Sequence, residues 1–321
     1  MSNNVCALGI DIGGQTSKLG VVDVRGTVLA QTVIRTDTHT EVENYISDLG
    51  DALRRIMKEA GVKAEDIRGI GVGAPNANYY TGTIDDAVNI TWGGSRRIEF
   101  AKLLTKEMGG IPVALTNDAN AAAVGEMTYG AARGMKNFIM ITLGTGVGSG
   151  IVIDGKVVYG HDGFAGELGH VCAVRANGRQ CNCGKTGCLE TYASATGVAR
   201  TAREWLEMTN EPSLLRNIEK ISSKDVYDAA LEGDKLALRI FDYTGTMLGR
   251  TFADFVAFSA PEAIVLFGGL ARAKQFLAEP IMKAMNENLL PIWKGKVKLL
   301  FSQLKESDAA ILGASALAWE I

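Results

Sequence analysis

The stretch GFAGELGHVCAVRANGRQCNCGKTGCLE, residues 163–190, sets four of the chain's five cysteines and one histidine among glycines. Cys181, Cys183 and Cys188 are spaced C-x-C-x4-C and His170 lies upstream, so three thiolates and an imidazole can close tetrahedrally on one Zn2+ with no vacant position. A complete set of protein ligands predicts a structural ion. The alternative is reduced thiols in a glycine-rich loop, but the segment has no apolar periodicity to bury them. Cys172, between Val171 and Ala173 in an expected strand, is expected to be a buried thiol rather than a fifth ligand. His170 belongs to Gly166-Glu167-Leu168-Gly169-His170 and Cys188 leads into Glu190, so a bound metal would fix two carboxylates in space. A ligating imidazole has a second nitrogen left for a hydrogen bond beyond the ion, and the cluster can thereby orient a small-molecule site without joining its chemistry.

GELGH followed by CxCGxxGCxE resembles the signature of the ROK family of bacterial sugar kinases and sugar-responsive repressors, and the resemblance continues over essentially the whole chain. It implies an α/β fold of two domains with the actin-like ATPase and sugar kinase (ribonuclease H-like) architecture, with a cleft holding ATP on one side and sugar on the other. The expected division is a small N-terminal α/β domain, 1–117 plus about 307–321, and a larger α/β domain, 118–306, that carries the zinc knuckle.

Upstream of the knuckle, Phe138 to Leu143 reads as a strand, Gly144-Thr145-Gly146-Val147-Gly148-Ser149-Gly150 as a glycine turn, and 151–158 as two strand segments about Asp154-Gly155. The same pattern stands at the N-terminus, where Val5 to Ile10 precedes Asp11-Ile12-Gly13-Gly14-Gln15-Thr16-Ser17-Lys18 and a second strand, Leu19 to Val24. A dinucleotide or P-loop site needs its glycines to open a helix, and neither turn does. Gly184-Lys185-Thr186 imitates the end of a Walker A motif, but Arg179 takes the place of its first glycine and no strand precedes it, which rejects a P-loop. Backbone N–H groups at an open glycine turn can still cradle phosphate, and an Asp at a strand end can hold the water shell of Mg2+. The alternative is an ordinary glycine hairpin.

Two such turns suggest a duplicated architecture. The resemblance assigns Asp11, Gly13, Gly14, Gln15, Thr16 and Lys18 in the first, and Gly144, Thr145, Gly146 and Gly148 in the second, to ATP and its Mg2+. The family usually has Thr directly after the first pair of glycines, whereas this chain has Gln15 there and Thr16 one place on.

Downstream of the knuckle the chain reads as helical over Tyr192 to Met208, Lys224 to Leu231 and Asp234 to Ser259. In the last, Leu236, Ile240, Phe241, Thr244, Leu248, Phe252 and Phe255 form a stripe expected to be core or dimer surface. Ala263 to Phe267 is a strand ending in Gly268-Gly269, which the architecture places against the adenosine; a simple turn is the alternative. Helices over Phe276 to Leu290 and Asp308 to Trp319 follow, the last expected to return to the N-terminal domain.

In the N-terminal half, Glu41 to Ala60 has helical periodicity with Gly61 as its C-terminal cap. Ile67 to Gly73 reads as a buried strand opening into Ala74-Pro75-Asn76-Ala77-Asn78-Tyr79-Tyr80. The family commonly has Gly after that Pro, in a loop that borders the sugar, so Asn76 is a candidate for substrate choice. Asn89 and Trp92 suit a lid, a pocket wall or a plain loop. Strand Ile111 to Leu115 ends in Thr116-Asn117-Asp118-Ala119-Asn120 before an Ala-rich helix reaching about Ala132. Taken alone, Asp and Asn there are helix N-caps. The family's catalytic pair matches TNDANAAA position by position, and the resemblance makes Asn117 a ligand of a sugar hydroxyl and Asp118 the general base. It likewise puts Asn76, Glu167, His170 and Glu190 on the sugar.

The chain has 321 residues, 47% hydrophobic and 21% charged, enough for two cores. A net charge of −3 gives no electrostatic reason to expect nucleic acid. No apolar run approaches a membrane span, the N-terminus has no secretory pattern, and three cysteines at metal spacing argue against a disulfide framework, so a cytoplasmic protein is expected. The expected activity is transfer of phosphate from ATP to the 6-hydroxyl of glucose by a homo-oligomer, dimer or tetramer, with Mg2+ and a structural Zn2+. A kinase of N-acetylglucosamine or N-acetylmannosamine, or a broad hexokinase, is the alternative. A repressor would need a helix-turn-helix ahead of the first strand, which begins near residue 5.

Overall fold

The computed structural model describes residues 5–94 and 96–321. In chain order the elements are β1 (Cys6–Ile12), β2 (Thr16–Asp23), β3 (Val28–Arg35), α1 (Val42–Glu59), β4 (Ile67–Gly73), β5 (Ala77–Asn78), β6 (Thr83–Asp85), β7 (Arg97–Ile98), α2 (Phe100–Glu107), β8 (Val113–Thr116), α3 (Asp118–Tyr129), β9 (Phe138–Leu143), β10 (Val147–Ile153) and β11 (Lys156–Val157). They continue with α4 (Glu190–Ala193), α5 (Ala195–Met208), α6 (Ser223–Leu231), α7 (Lys235–Ser259), β12 (Ala263–Phe267), α8 (Lys274–Asn288), β13 (Lys298–Phe301) and α9 (Glu306–Leu317). Among the described residues no helix is long and apolar enough to cross a membrane.

The chain divides into two compact units, Met1–Met135 with Gly150–Ala165 and Gln303–Ile321, and Lys136–Ser149 with Gly166–Ser302. The first holds a sheet of order β3-β2-β1-β4-β8. Its first three strands form an antiparallel meander, and β1, β4 and β8 run parallel. Parallel strands are covered on both faces, which is why β1 and β4 read as near-continuous apolar runs. Helix α9 lies on them at backbone distance. A Cβ at Gly9 would meet the Ile311 carbonyl oxygen at 2.3 Å, and one at Gly71 would meet that of Ala314 at 1.8 Å, so glycine is what lets the helix seat. Helix α3 packs on α9 in the same way, Gly125 facing Gly313, which places the helix opened by Asp118 in the first unit.

The second sheet has the order β11-β10-β9-β12-β13, the same sequence of hairpins followed by parallel strands as the first. The duplication suggested by the two glycine turns is thus present in strand order. Helices α7 and α8 cover it, with Gly249 of α7 against the Ile281 carbonyl of α8. The α7 stripe from Leu236 to Phe255 is buried, so it is core of the second unit rather than exposed surface.

Cys172 departs from its expected burial: it is exposed and lies in an isolated bridge to Cys188 rather than in a strand. Trp92 is likewise no lid residue: it is 1% exposed and stacks between Tyr45 and Phe100 in the first unit's core. The expected helix from Tyr192 is two helices, α4 and α5, parted at Ser194, whose side chain caps α5 by accepting from the N–H of Gly197.

Candidate functional site

In the first unit the candidate residues collect at the carboxyl ends of parallel strands, where open α/β sheets bind ligands. The register pairs Asp11 of β1 with Gly73 of β4, and Gly73 with Thr116 of β8. A Cβ added at Gly73 would lie 3.6 Å from Cα of Asp118 and 4.0 Å from Oδ1 of Asp11, so the glycine separates two neighbouring carboxylates. Burial and the nearby charge of Asp118 push the Asp11 carboxyl up to about 6, against the pull of Lys18, its antiparallel partner. Two such carboxylates suit a divalent cation, which would relieve their repulsion.

Asn117 is the N-cap of α3, its Oδ1 accepting from the N–H of Asn120 at 2.7 Å. Asp118 is therefore the first helical residue and not the cap; its Oδ1 accepts from the N–H of Ala119 at 2.8 Å. Desolvation raises its carboxyl above the ordinary aspartate value while that N–H lowers it. Because Asp118 retains solvent-accessible surface, water moderates the rise. A carboxylate so placed can accept a hydroxyl proton.

The glycine turn between β1 and β2 is closed by the N–H of Gly13 donating to the Thr16 carbonyl at 3.0 Å. Gly14 has the carbonyl oxygen of Asn89 2.7 Å from where a Cβ would stand, so the 89–92 segment lies on this turn by its backbone. Gln15 and Thr16 are exposed, and the Gln15 carbonyl accepts from the N–H of Thr36. Asn76 has φ of 53°, in the left-handed region where glycine is preferred and asparagine tolerated. Its Nδ2 donates to the Asp86 carbonyl at 3.0 Å, so the amide is already engaged within its own loop.

In the second unit the ligand atoms of His170, Cys181, Cys183 and Cys188 all lie within 4.8 Å of one another. Cys183 Sγ is 3.6 Å from Cys188 Sγ, and Cys181 Sγ is 3.8 Å from His170 Nδ1. Zn–S bonds of about 2.3 Å at tetrahedral angles put sulfurs about 3.8 Å apart, so the donor set and its spacing fit Zn2+; a disulfide would need about 2.05 Å. Cys172 is not in the set. Nδ1 of His170 faces the thiols, which leaves Nε2 to a partner elsewhere. Lys185, the imitation Walker lysine, donates to the His170 carbonyl at 2.8 Å and so belongs to this loop.

The knuckle and the second glycine turn touch. Glu190 Oε2 accepts from the N–H of Val147 at 2.9 Å, and a Cβ at Gly146 would meet that oxygen at 2.3 Å. Glu190 Oε1 lies 3.9 Å from Cys181 Sγ. Gly169 of GELGH rests on the Val147 carbonyl, where a Cβ would come within 2.0 Å. Ser149, which sequence reasoning passed over, donates to the Gly166 carbonyl and accepts from the N–H of Leu168 at 3.1 Å, aligning the segment that carries the exposed Glu167 and the half-buried His170. The turn itself is pinned by the N–H of Ala195 on the Gly144 carbonyl at 2.8 Å and by that of Gly148 on Thr142 Oγ1 at 3.1 Å.

Gly268, at φ of 101°, is pressed against the backbone of Leu143, where a Cβ would meet the carbonyl oxygen at 2.6 Å. The two glycine pairs of this unit thus stand side by side at the ends of β9 and β12. A cavity of about 300 Å³ adjoins Gly269, lined by Ser223, Lys224, Tyr227, Asp228, Leu270, Arg272 and Ala273. None of the α6 residues carried a local signal in the sequence, because an aromatic and mixed charges on a helix face are ordinary.

A model described as the ROK family matches residues 7–321. The chain is 38% identical to the glucokinase of Halalkalibacterium halodurans, over 97% of this chain and 94% of that protein. Among solved structures, a ROK family glucokinase from Streptomyces griseus in complex with glucose and AMPPNP superposes with a TM-score of 0.78 at 31% identity, covering 98% of this chain and 100% of that one. A ROK family transcriptional regulator, a homologue of the E. coli MLC protein, superposes with a TM-score of 0.86 at 27% identity, over 99% of this chain and 78% of that one.

Proposed function

The chain belongs to the ROK family, and on that premise we propose that it is an ATP-dependent glucokinase, transferring the γ-phosphoryl group of ATP to the 6-hydroxyl of glucose. The observation that carries the chemistry is Asp118, a carboxylate at the end of a parallel strand whose capping duty falls to Asn117. Glucose as acceptor is supported by the glucokinases among the relatives.

In this mechanism Asp118 takes the proton of the 6-hydroxyl as that oxygen forms its bond to the γ-phosphorus, and the bond to the bridging oxygen breaks with its electron pair leaving on ADP. Asn117, Glu167, His170 through Nε2, and Glu190 hold sugar hydroxyls. Backbone N–H groups of the turns at Gly13–Thr16 and Gly144–Gly148 hold phosphate oxygens. Gly268 and Gly269 lie against the adenosine, which the cavity beside Tyr227 and Leu270 has the size and apolar character to receive. Asp11 would hold Mg2+, which when bound would neutralise the phosphate charge. His170, Cys181, Cys183 and Cys188 would hold Zn2+, which would supply rigidity and keep Glu167 and Glu190 in register. A cytoplasmic homo-oligomer, dimer or tetramer, completes the proposal.

Substrate choice tests it. Both glucose and N-acetylglucosamine present a 6-hydroxyl, and the Asn76 amide is engaged with Asp86 rather than held ready for an acetamido carbonyl. Glucose should therefore be preferred in kcat/KM by about 10- to 200-fold, the range open to discrimination by shape, and Asn76→Gly should leave glucose preferred. Rates of ADP release with each sugar on both proteins decide it; a wild type that prefers the acetylated sugar and loses that preference in Asn76→Gly contradicts the glucose assignment.

A further inference from the structure

Arg179 stands two residues before the first cysteine of the knuckle and is unused in the mechanism above, yet its side chain is only 9% exposed and almost every donor it has is spent. Nη1 donates to the Thr191 carbonyl at 2.8 Å and to that of Gly197 at 3.4 Å, Nη2 to Thr201 Oγ1 at 2.9 Å and to Glu204, and Nε to Glu204 at 3.1 Å. The guanidinium lies 4.6 Å from the ring centre of Tyr192, and the backbone N–H of Arg179 donates to the Tyr192 hydroxyl at 2.8 Å. Its carbonyl in turn accepts from the N–H of Gly187 inside the metal loop.

What this network grips is α4, which begins at Glu190 and is one turn long. A helix that short has no stability of its own. Were it to continue, the Thr191 carbonyl would accept from the N–H of Ala195, but that N–H is given to the Gly144 carbonyl of the glycine turn. The carbonyl left over is the one Arg179 takes. One planar cation thus satisfies the broken helix, stacks on its tyrosine and ties it to α5, while its own backbone is part of the knuckle.

We propose that Arg179 is a positioning residue for Glu190, holding the turn that presents this carboxylate by a route that does not pass through the metal. The proposal rests on Glu190 being a sugar ligand. Replacing a residue that orients a metal ligand costs about 10- to 100-fold, and a loss at the lower end of that range is expected where the group oriented is a sugar ligand. Arg179→Met should raise the glucose KM by about that factor, raise the ATP KM by less, since Glu190 also holds Val147 of the glycine turn, and retain about one zinc per chain by elemental analysis. Arg179→Lys should regain thermal stability, since an ammonium can still neutralise Glu204, but not the glucose KM, since one nitrogen cannot also reach the Thr191 carbonyl. It also carries the test if the Met variant does not fold. Glu190→Gln should raise the glucose KM by itself, and adding Arg179→Met to it should produce no further rise.

A wild-type glucose KM in either folded Arg179 variant overturns the proposal, and so does loss of zinc together with glucose binding, which would make Arg179 a support of the metal loop alone. A wild-type glucose KM in Glu190→Gln overturns instead the assignment of Glu190 to the sugar, whatever the Arg179 variants do.

Discussion

Asp11 and Asp118 flank Gly73, and after burial the charge of Asp118 is what raises the Asp11 carboxyl. The Asp11 carboxyl is pushed up to about 6 and that of Asp118 is also raised. Both must be ionised in the proposed mechanism, Asp11 to hold the water shell of Mg2+ and Asp118 to receive a proton. A raised carboxyl keeps its proton to a higher pH, so activity should be lost as pH falls through about 6, by about tenfold per unit for each group that protonates. Asp11→Asn removes the group that protonates near 6, and the acid limb of whatever activity remains should move to lower pH. Profiles of kcat/KM at limiting Mg2+ between pH 5 and 8 check both statements; a profile flat down to pH 5 contradicts them. The sequence pointed to these residues, but it did not divide their labour. Only the backbone of α3 reveals that Asn117 caps and Asp118 does not.

At the scale of elements, the knuckle joins the cluster to Glu167 and Glu190 through short glycine-bounded spans. Cys183→Ser should therefore lose the zinc and, with it, most turnover, and the metal should also leave the wild-type protein in acid because ligand thiols must be deprotonated to bind. Elemental analysis beside ADP-release rates checks this; active protein without zinc contradicts it. The clustering of His170 with Cys181, Cys183 and Cys188 was legible from spacing, as were β4, β9 and β12, whose apolar runs end at glycines. Other elements gave weaker signals. In β3, Val28, Ala30, Thr32 and Ile34 are half-buried while Leu29, Gln31, Val33 and Arg35 face solvent, so apolar residues stand on both faces and the alternation is blurred. β5, β6 and β7 run to two or three residues each, too short for any periodicity. Partners distant along the chain, such as Val147 for Glu190 or Ser149 for Gly166, have no local signature at all.

Across the whole molecule, one strand order is used twice, and each copy places its glycine turn beside the ends of parallel strands. That scaffold is shared by kinases and by regulators in the family, as the two kinds of solved relative attest. Fold therefore does not decide between catalysis and sensing; in the proposed reading the carboxylate does. A sensor needs Asp118 only as a hydrogen-bond acceptor, a role asparagine's carbonyl can partly fill, and Asn would serve nearly as well in a capping role. A kinase needs its proton affinity. The decisive measurement is the rate of glucose 6-phosphate formation from ATP and glucose by the wild type and by Asp118→Asn, with glucose binding followed alongside. A glucokinase with Asp118 as base forms the product, and the variant binds glucose but turns over about 100-fold more slowly or worse. A wild type that binds glucose without forming the product, or a variant with near-native turnover, contradicts the account.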